Sequence, residues 1–149
     1  MSKKHYLAIV LVLSILPFCL TSCGLVGLIN YPEKIRMRNY YSEKGNYINA
    51  SGTVTSFKYG ENNDKLYLFF EEELIPADTF TSRKFVITGN NLNYVKSNGF
   101  DEKVEAGSFI EFITVPRDFG YARPIVSLTV NGEVLLEFEE GYSNLLQWL

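Results

Sequence analysis

From Tyr47 onward, apolar and polar positions alternate with period two. Ile48, Ala50, Gly52 and Val54 interleave with Asn49, Ser51, Thr53 and Thr55, the pattern of a half-buried strand. The run Tyr59-Gly60-Glu61-Asn62-Asn63-Asp64 is a turn signal. The next strand puts Leu66, Leu68 and Phe70 on one face and Tyr67 and Phe69 on the other. The three adjacent carboxylates Glu71 to Glu73 end it, because they repel one another and favour a solvated edge. An irregular connector from Pro76 to Ser82 leads into a third strand, Lys84 to Thr88, with Phe85 and Ile87 together. Leu92 and Val95 then fall at helical spacing, and Asn98-Gly99 stops that short helix.

A fourth strand carries Ile110 and Phe112 around Glu111, and Pro116 to Pro124 reads as a nine-residue loop. The fifth strand holds Val126, Leu128 and Val130. Asn131-Gly132 follows, the dipeptide of a two-residue hairpin, and Val134 to Phe138 is the predicted returning strand. Tyr142, Leu145, Leu146 and Leu149 share one face of a terminal helix. There the only tryptophan, Trp148, sits beside Leu146 and Leu149, a position suited to packing that helix.

The order is strand, strand, strand, short helix, strand, strand, then a hairpin extension and a closing helix. It resembles an OB-type barrel, whose helix lies between the third and fourth strands. The stretch Glu102-Lys103-Val104-Glu105-Ala106-Gly107-Ser108-Phe109-Ile110-Glu111-Phe112 is similar to the entry from helix to strand in such domains. The expected fold is therefore mainly β: a small OB-like barrel of five to six strands with one short internal helix and a C-terminal helix. An SH3-like or other small barrel is the competing architecture.

Upstream the pattern changes. Lys3 and Lys4 precede an almost unbroken apolar run from Tyr6 to Leu20, the charged start and apolar core of an export signal. At 15 residues the run is short for a membrane span of about 20, and Pro17 interrupts it. It ends in Leu20-Thr21-Ser22-Cys23. This tetrapeptide resembles the lipobox of bacterial lipoproteins. The resemblance implies that the Cys23 thiol receives a diacylglycerol and that a dedicated peptidase cuts just before it. The expected organisation is a signal peptide over 1–22, a lipidated tether over 23–45 and the barrel over 46–149. An uncleaved anchor, with Cys23 an ordinary thiol, is the alternative. Two acyl chains would hold the protein stably at a membrane surface. Within the tether, Pro32 suits the first turn of a short helix. Lys34, Arg36, Arg38 and Lys44 suit either a solvated spacer or an anionic lipid surface.

Composition narrows the chemistry. Of 149 residues, cleavage before Cys23 leaves 127, with 12 basic against 17 acidic groups. This acidic balance argues against nucleic acid as a partner. His5 and Cys19 lie in the leader, so the mature chain would hold no histidine and a single cysteine. Triads built on His, Cys/His catalysis and His- or thiolate-bound zinc are then excluded. No phosphate-binding Gly-rich loop, G-x-S-x-G elbow or calcium loop occurs, and no cofactor is expected. Carboxylate pairs such as Glu111 with Glu137 or Asp118 leave a hydrolase as a minor alternative.

The OB-type resemblance implies a binding surface formed by the middle strands and the loops Lys58 to Asp64 and Pro116 to Pro124. The second loop carries Arg117, Phe119, Tyr121 and Arg123 between its prolines. Arginine can fork onto a carboxylate or phosphate, and aromatic faces stack on sugars. Tyr67, Phe69 and Tyr59 would extend that surface. The same loop admits a structural reading, in which Phe119 and Tyr121 fold over the barrel mouth and Arg117 pairs with Asp118 or Glu111. The expected function is a non-catalytic, membrane-anchored binding module on the extracytoplasmic side of the cell envelope. Its partners would be membrane lipid, through acylated Cys23, and an envelope glycan, peptide or small anionic ligand. A protein-interaction or immunity-like accessory role is the other expectation.

Overall fold

The structure is a computed structural model that describes residues 32–75 and 84–149. Cys23, the expected signal peptide and the connector from Pro76 lie outside the described residues. Two compact units divide the chain, Met1–Met37 and Arg38–Leu149, so residues 38–45 of the expected tether belong with the domain. A helix, α1, covers residues 32–42, with Pro32 in its first turn as its fixed φ favours. A single turn of 3₁₀ helix follows at Lys44–Asn46.

The sheet strands are β1 (Ile48–Tyr59), β2 (Lys65–Phe70), β3 (Phe85–Thr88), β4 (Phe109–Thr114), β5 (Arg123–Pro124), β6 (Ser127–Val130) and β7 (Glu133–Leu136). Helices α2 (Gly89–Ser97) and α3 (Phe100–Lys103) lie between β3 and β4, and α4 (Phe138–Trp148) ends the chain. The helix between the third and fourth strands is where the sequence places it.

β1 organises the sheet because it is shared. Residues 48–53 pair antiparallel with β4, whereas Val54 to Tyr59 pair antiparallel with β2. A bulge between Val54 and Ser56 separates the halves. One extra residue flips the pleat. Ala50 and Val54 face the core before the bulge, and Phe57 and Tyr59 face it afterwards. The period-two reading therefore holds up to Val54 and changes phase beyond it.

The sheet departs from the expected five- to six-stranded barrel in two ways. Among the described residues there are seven strands, and their order β5-β3-β2-β1-β4-β6-β7 leaves the sheet open, with two ends. The added strand comes from the end of the expected loop: Arg123–Pro124 pairs in parallel with β3, whereas the expected fifth strand forms as Ser127–Val130 and pairs antiparallel with β4. The Ile125 amide donates to the Val86 carbonyl and the Val126 amide to the Ile113 carbonyl, each at 2.9 Å. Successive N–H groups of an extended chain point in opposite directions, so one dipeptide crosses from one arm of the sheet to the other. Arg123 and Pro124, expected to close a loop, are thus strand residues.

The returning strand stops at Leu136, earlier than expected. Phe138 opens α4 instead and packs its ring on Tyr47 and Tyr142, at centroid distances of 5.5 and 5.8 Å. Leu66, Leu68, Phe85, Ile87, Ile110, Phe112, Leu128 and Val130 from the strands meet Leu92, Val95 and Phe100 from the helices in one core. Phe70, Phe85 and Phe112 form its aromatic centre, with ring centroids 5.0–5.3 Å apart.

α4 is held against the crossing through a glycine. A Cβ on Gly141 would lie 2.0 Å from the Val126 carbonyl oxygen, so only a bare Cα permits this approach. Next to it, the buried Asn91 amide on α2 donates to the Gly141 carbonyl at 2.9 Å. Gly141→Ala is expected to destabilise the fold by about 3 kcal/mol, since backbone must move to admit the methyl group. Gly45→Ala, with nothing within 4 Å of the added carbon, is expected to be nearly neutral. Urea unfolding of both variants checks this.

Candidate functional site

The loop between β4 and β5 carries three of the six candidate ligand residues, Arg123 opens the strand that follows, and the packing around them determines what each can do. Arg123 is 1% exposed. A buried guanidinium must be hydrogen-bonded and paired. Its Nε donates to the Pro116 carbonyl at 3.0 Å, one Nη lies 3.9 Å from the Asp118 carboxylate, and the group stands 6.0 Å over the Phe85 ring. Alongside, the Thr114 hydroxyl donates to the Pro124 carbonyl at 2.8 Å. Arg123 thus ties both ends of the loop together from inside.

Asp118 finishes the loop. Its carboxylate accepts from the Gly120 amide at 2.7 Å and its carbonyl from the Tyr121 amide at 2.8 Å. This local turn accommodates Phe119 at φ 51° and Gly120 at φ 77°. Phe119 points back to α1, edge-on to Tyr40 and Tyr41 at 5.3 and 5.8 Å. The Arg117 guanidinium covers it at 4.4 Å and reaches 5.7 Å from the Tyr40 ring. Of the structural alternatives, Phe119 packs on α1 and not over a barrel mouth, and Arg123, not Arg117, approaches Asp118. Arg117 and Tyr121 are exposed.

A collar of aromatic side chains continues from this loop. The Tyr142 hydroxyl donates to the Ser42 carbonyl at 2.6 Å, the Tyr47 hydroxyl to the Tyr41 carbonyl at 2.9 Å, and Lys44 pairs with Glu139 at 2.7 Å. Lys44 also stands 5.1 Å over the Tyr142 ring. Burial pushes the Tyr41 phenol well above its usual range, reinforced by the Asp118 charge. Burial does the same to Tyr47, with Tyr142 adding to it. Sequence analysis missed the collar because its members come from four separated segments with no shared periodicity.

The two remaining candidates lie apart from that loop, on β1 and β2. Tyr59 follows the bulge and turns inward. Its hydroxyl donates to the Asp101 carboxylate, and Lys96 stands 4.1 Å over its ring. Burial, then that hydrogen bond, raises its pKa well above the usual phenol range. Tyr67 stays on the outward face of β2 with Phe69. Lys58 lies directly across from Tyr67 on β1, and Lys84 immediately precedes β3, whose first residue pairs with Leu68. These residues, with Lys65, Tyr59 and the turn residues Gly60, Glu61, Asn62 and Asp64, line an open groove of about 430 Å³. Residues of the 116–122 loop are not part of that lining. Lys58, Lys65 and Lys84 were not among the candidates, since a lysine on a strand is by default a solvated one.

The carboxylates considered for hydrolysis have other settings. Glu111 is exposed on the outer face of β4, Glu137 precedes α4, and Asp118 is engaged as described. Among the described residues, no group of three or more His, Cys, Asp or Glu side chains is placed to hold a metal ion. No described helix is long and apolar enough to cross a membrane. Compared with known protein families, curated proteins and solved structures, the chain matches none.

Replacing Arg123 by alanine is expected to cost about 3–5 kcal/mol, because Asp118 and the Pro116 carbonyl lose their buried partner. Arg117→Ala removes only a surface cation–π contact, worth about 1 kcal/mol or less. Thermal and urea unfolding of the two variants should separate them by several kcal/mol; equal losses would contradict the assignment of Arg123 to the architecture.

Proposed function

We propose that this protein is a lipid-anchored, non-catalytic binding module on the extracytoplasmic side of a cell envelope, and that its ligand is an anionic envelope glycan or a small anionic molecule. The observation that carries this reading is the groove around Tyr67. Two outward aromatic rings on adjacent same-face positions of one strand offer flat surfaces for sugar rings. Lys58, Lys65 and Lys84 surround them in a chain whose overall balance is acidic. Ammonium groups on long flexible stems suit a carboxylate or phosphate presented at varied angles. Glu61 and Asp64 in the turn give hydroxyl groups an acceptor.

We read the fold more finely as OB-like. Three features support this: β1 is shared between β2 and β4, helices lie between β3 and β4, and the Ile125-Val126 dipeptide bonds to both arms. The groove then falls on the strand face and first loop through which such domains bind oligosaccharides. The anchor rests on the lipobox-like Leu20-Thr21-Ser22-Cys23.

The test has two arms. Metabolic labelling with palmitate should mark the natural chain, and Cys23→Ser should abolish the label and leave an uncleaved precursor. For the ligand, NMR titration with solubilised envelope glycan fragments, sorted by charge, should shift the amides of Lys58, Tyr67 and Phe69 with an anionic fraction. Tyr67→Ala combined with Lys58→Ala should then weaken binding by about tenfold or more, the value of one stacking platform, at an unchanged melting temperature. Undiminished affinity in the double variant would remove this groove as the site.

A further inference from the structure

The exposed part of the loop between β4 and β5 is left outside the groove, and its position relative to the tether gives it a different role. The second compact unit begins at Arg38, only 15 residues after Cys23. Even fully extended, such a segment spans at most about 50 Å. An acylated chain therefore holds the unit beside the bilayer at an effective concentration in the millimolar range, where weak contacts suffice. The first residues of the unit meet this loop directly. Tyr40 and Tyr41 contact Phe119, and Arg117 covers both Phe119 and Tyr40. The loop thus packs on the first residues of the unit.

What it presents there is amphipathic. Tyr121 is 55% exposed in a loop held from inside by Asp118 and Arg123. Arg117 and Arg38, the first residue of the unit, are exposed, and Lys34 and Arg36 precede Arg38 in sequence. Asp118 and Glu139 are engaged by Arg123 and Lys44. An exposed tyrosine and exposed arginines match the head-group layer, where the ring sits among glycerol groups and the guanidinium groups bind phosphates. We propose that Tyr121, Arg117 and Arg38 form an interfacial foot that seats the unit on the anionic phospholipid surface bearing its own anchor. This inference rests on lipidation at Cys23.

Trp148 is the only tryptophan, and at 54% exposure it closely matches Tyr121. The natural full-length lipoprotein is therefore a reference for a Tyr121→Trp variant in a Trp148→Phe background. Both are reconstituted into vesicles of brominated phosphatidylcholine mixed in equal parts with brominated phosphatidylglycerol, and flotation is recorded. The proposal predicts that bromolipid quenches the tryptophan at position 121 several-fold more than Trp148. Arg38→Glu with Arg117→Glu should return that quenching to the Trp148 level while flotation persists. Equal quenching at the two positions in protein that floats would overturn the foot and leave the anchor standing. Protein that does not float would overturn the anchor and the foot together.

Discussion

The structure depends on one crossing. At Ile125-Val126 two successive amides donate to opposite arms of the sheet, one to Val86 on β3 and the next to Ile113 on β4. Arg123 buries its guanidinium immediately before the crossing, and Gly141 of α4 rests on the Val126 carbonyl immediately after it. The placement of a charge in the core needs explaining, since desolvation opposes it. The explanation is geometric. The Pro116 carbonyl and the Asp118 carboxylate must be satisfied where the strand changes partner. A planar cation with several donors serves both, whereas an apolar residue would serve neither.

That constraint also sorts the chemistry. Arg123 cannot serve a ligand while it holds the loop, and Phe119 is committed to Tyr40 and Tyr41. The loop is tied down at these two residues, and the side chains it displays to solvent are Arg117 and Tyr121. The groove around Tyr67 has a different origin. It needs only the pleat of β2 and the pairing register, which put Tyr67 and Phe69 outward and Leu66 and Leu68 inward.

What could be read from sequence follows the same division. The alternation of Leu66, Tyr67, Leu68 and Phe69, the helical spacing of Leu92 and Val95, and Asn131-Gly132 are local signals, and each element formed where it was expected. The β1 bulge was not legible, because Thr55 and Ser56 are ordinary strand residues and nothing local marks the phase change. Nor was the short strand Arg123–Pro124, which arises from pairing with β3, far away in the chain. Arg123 illustrates the limit most clearly. In sequence it is one of two arginines in a polar loop, and only tertiary packing makes it the most deeply enclosed cation described. Trp148 shows the converse. An apolar neighbourhood in sequence suggested packing, yet the indole covers Gly89 and leaves more than half of its surface in water.

The central claim is that the crossing binds the two arms into one cooperative unit. Native-state hydrogen exchange at the Ile125 and Val126 amides, followed against denaturant, tests it most directly. These neighbouring amides report on opposite arms. If the account holds, both exchange only through global unfolding, with the same free energy and the same denaturant dependence. Exchange of Ile125 by a smaller opening, while Val126 stays protected, would mean that the β3 arm opens on its own and would contradict the account.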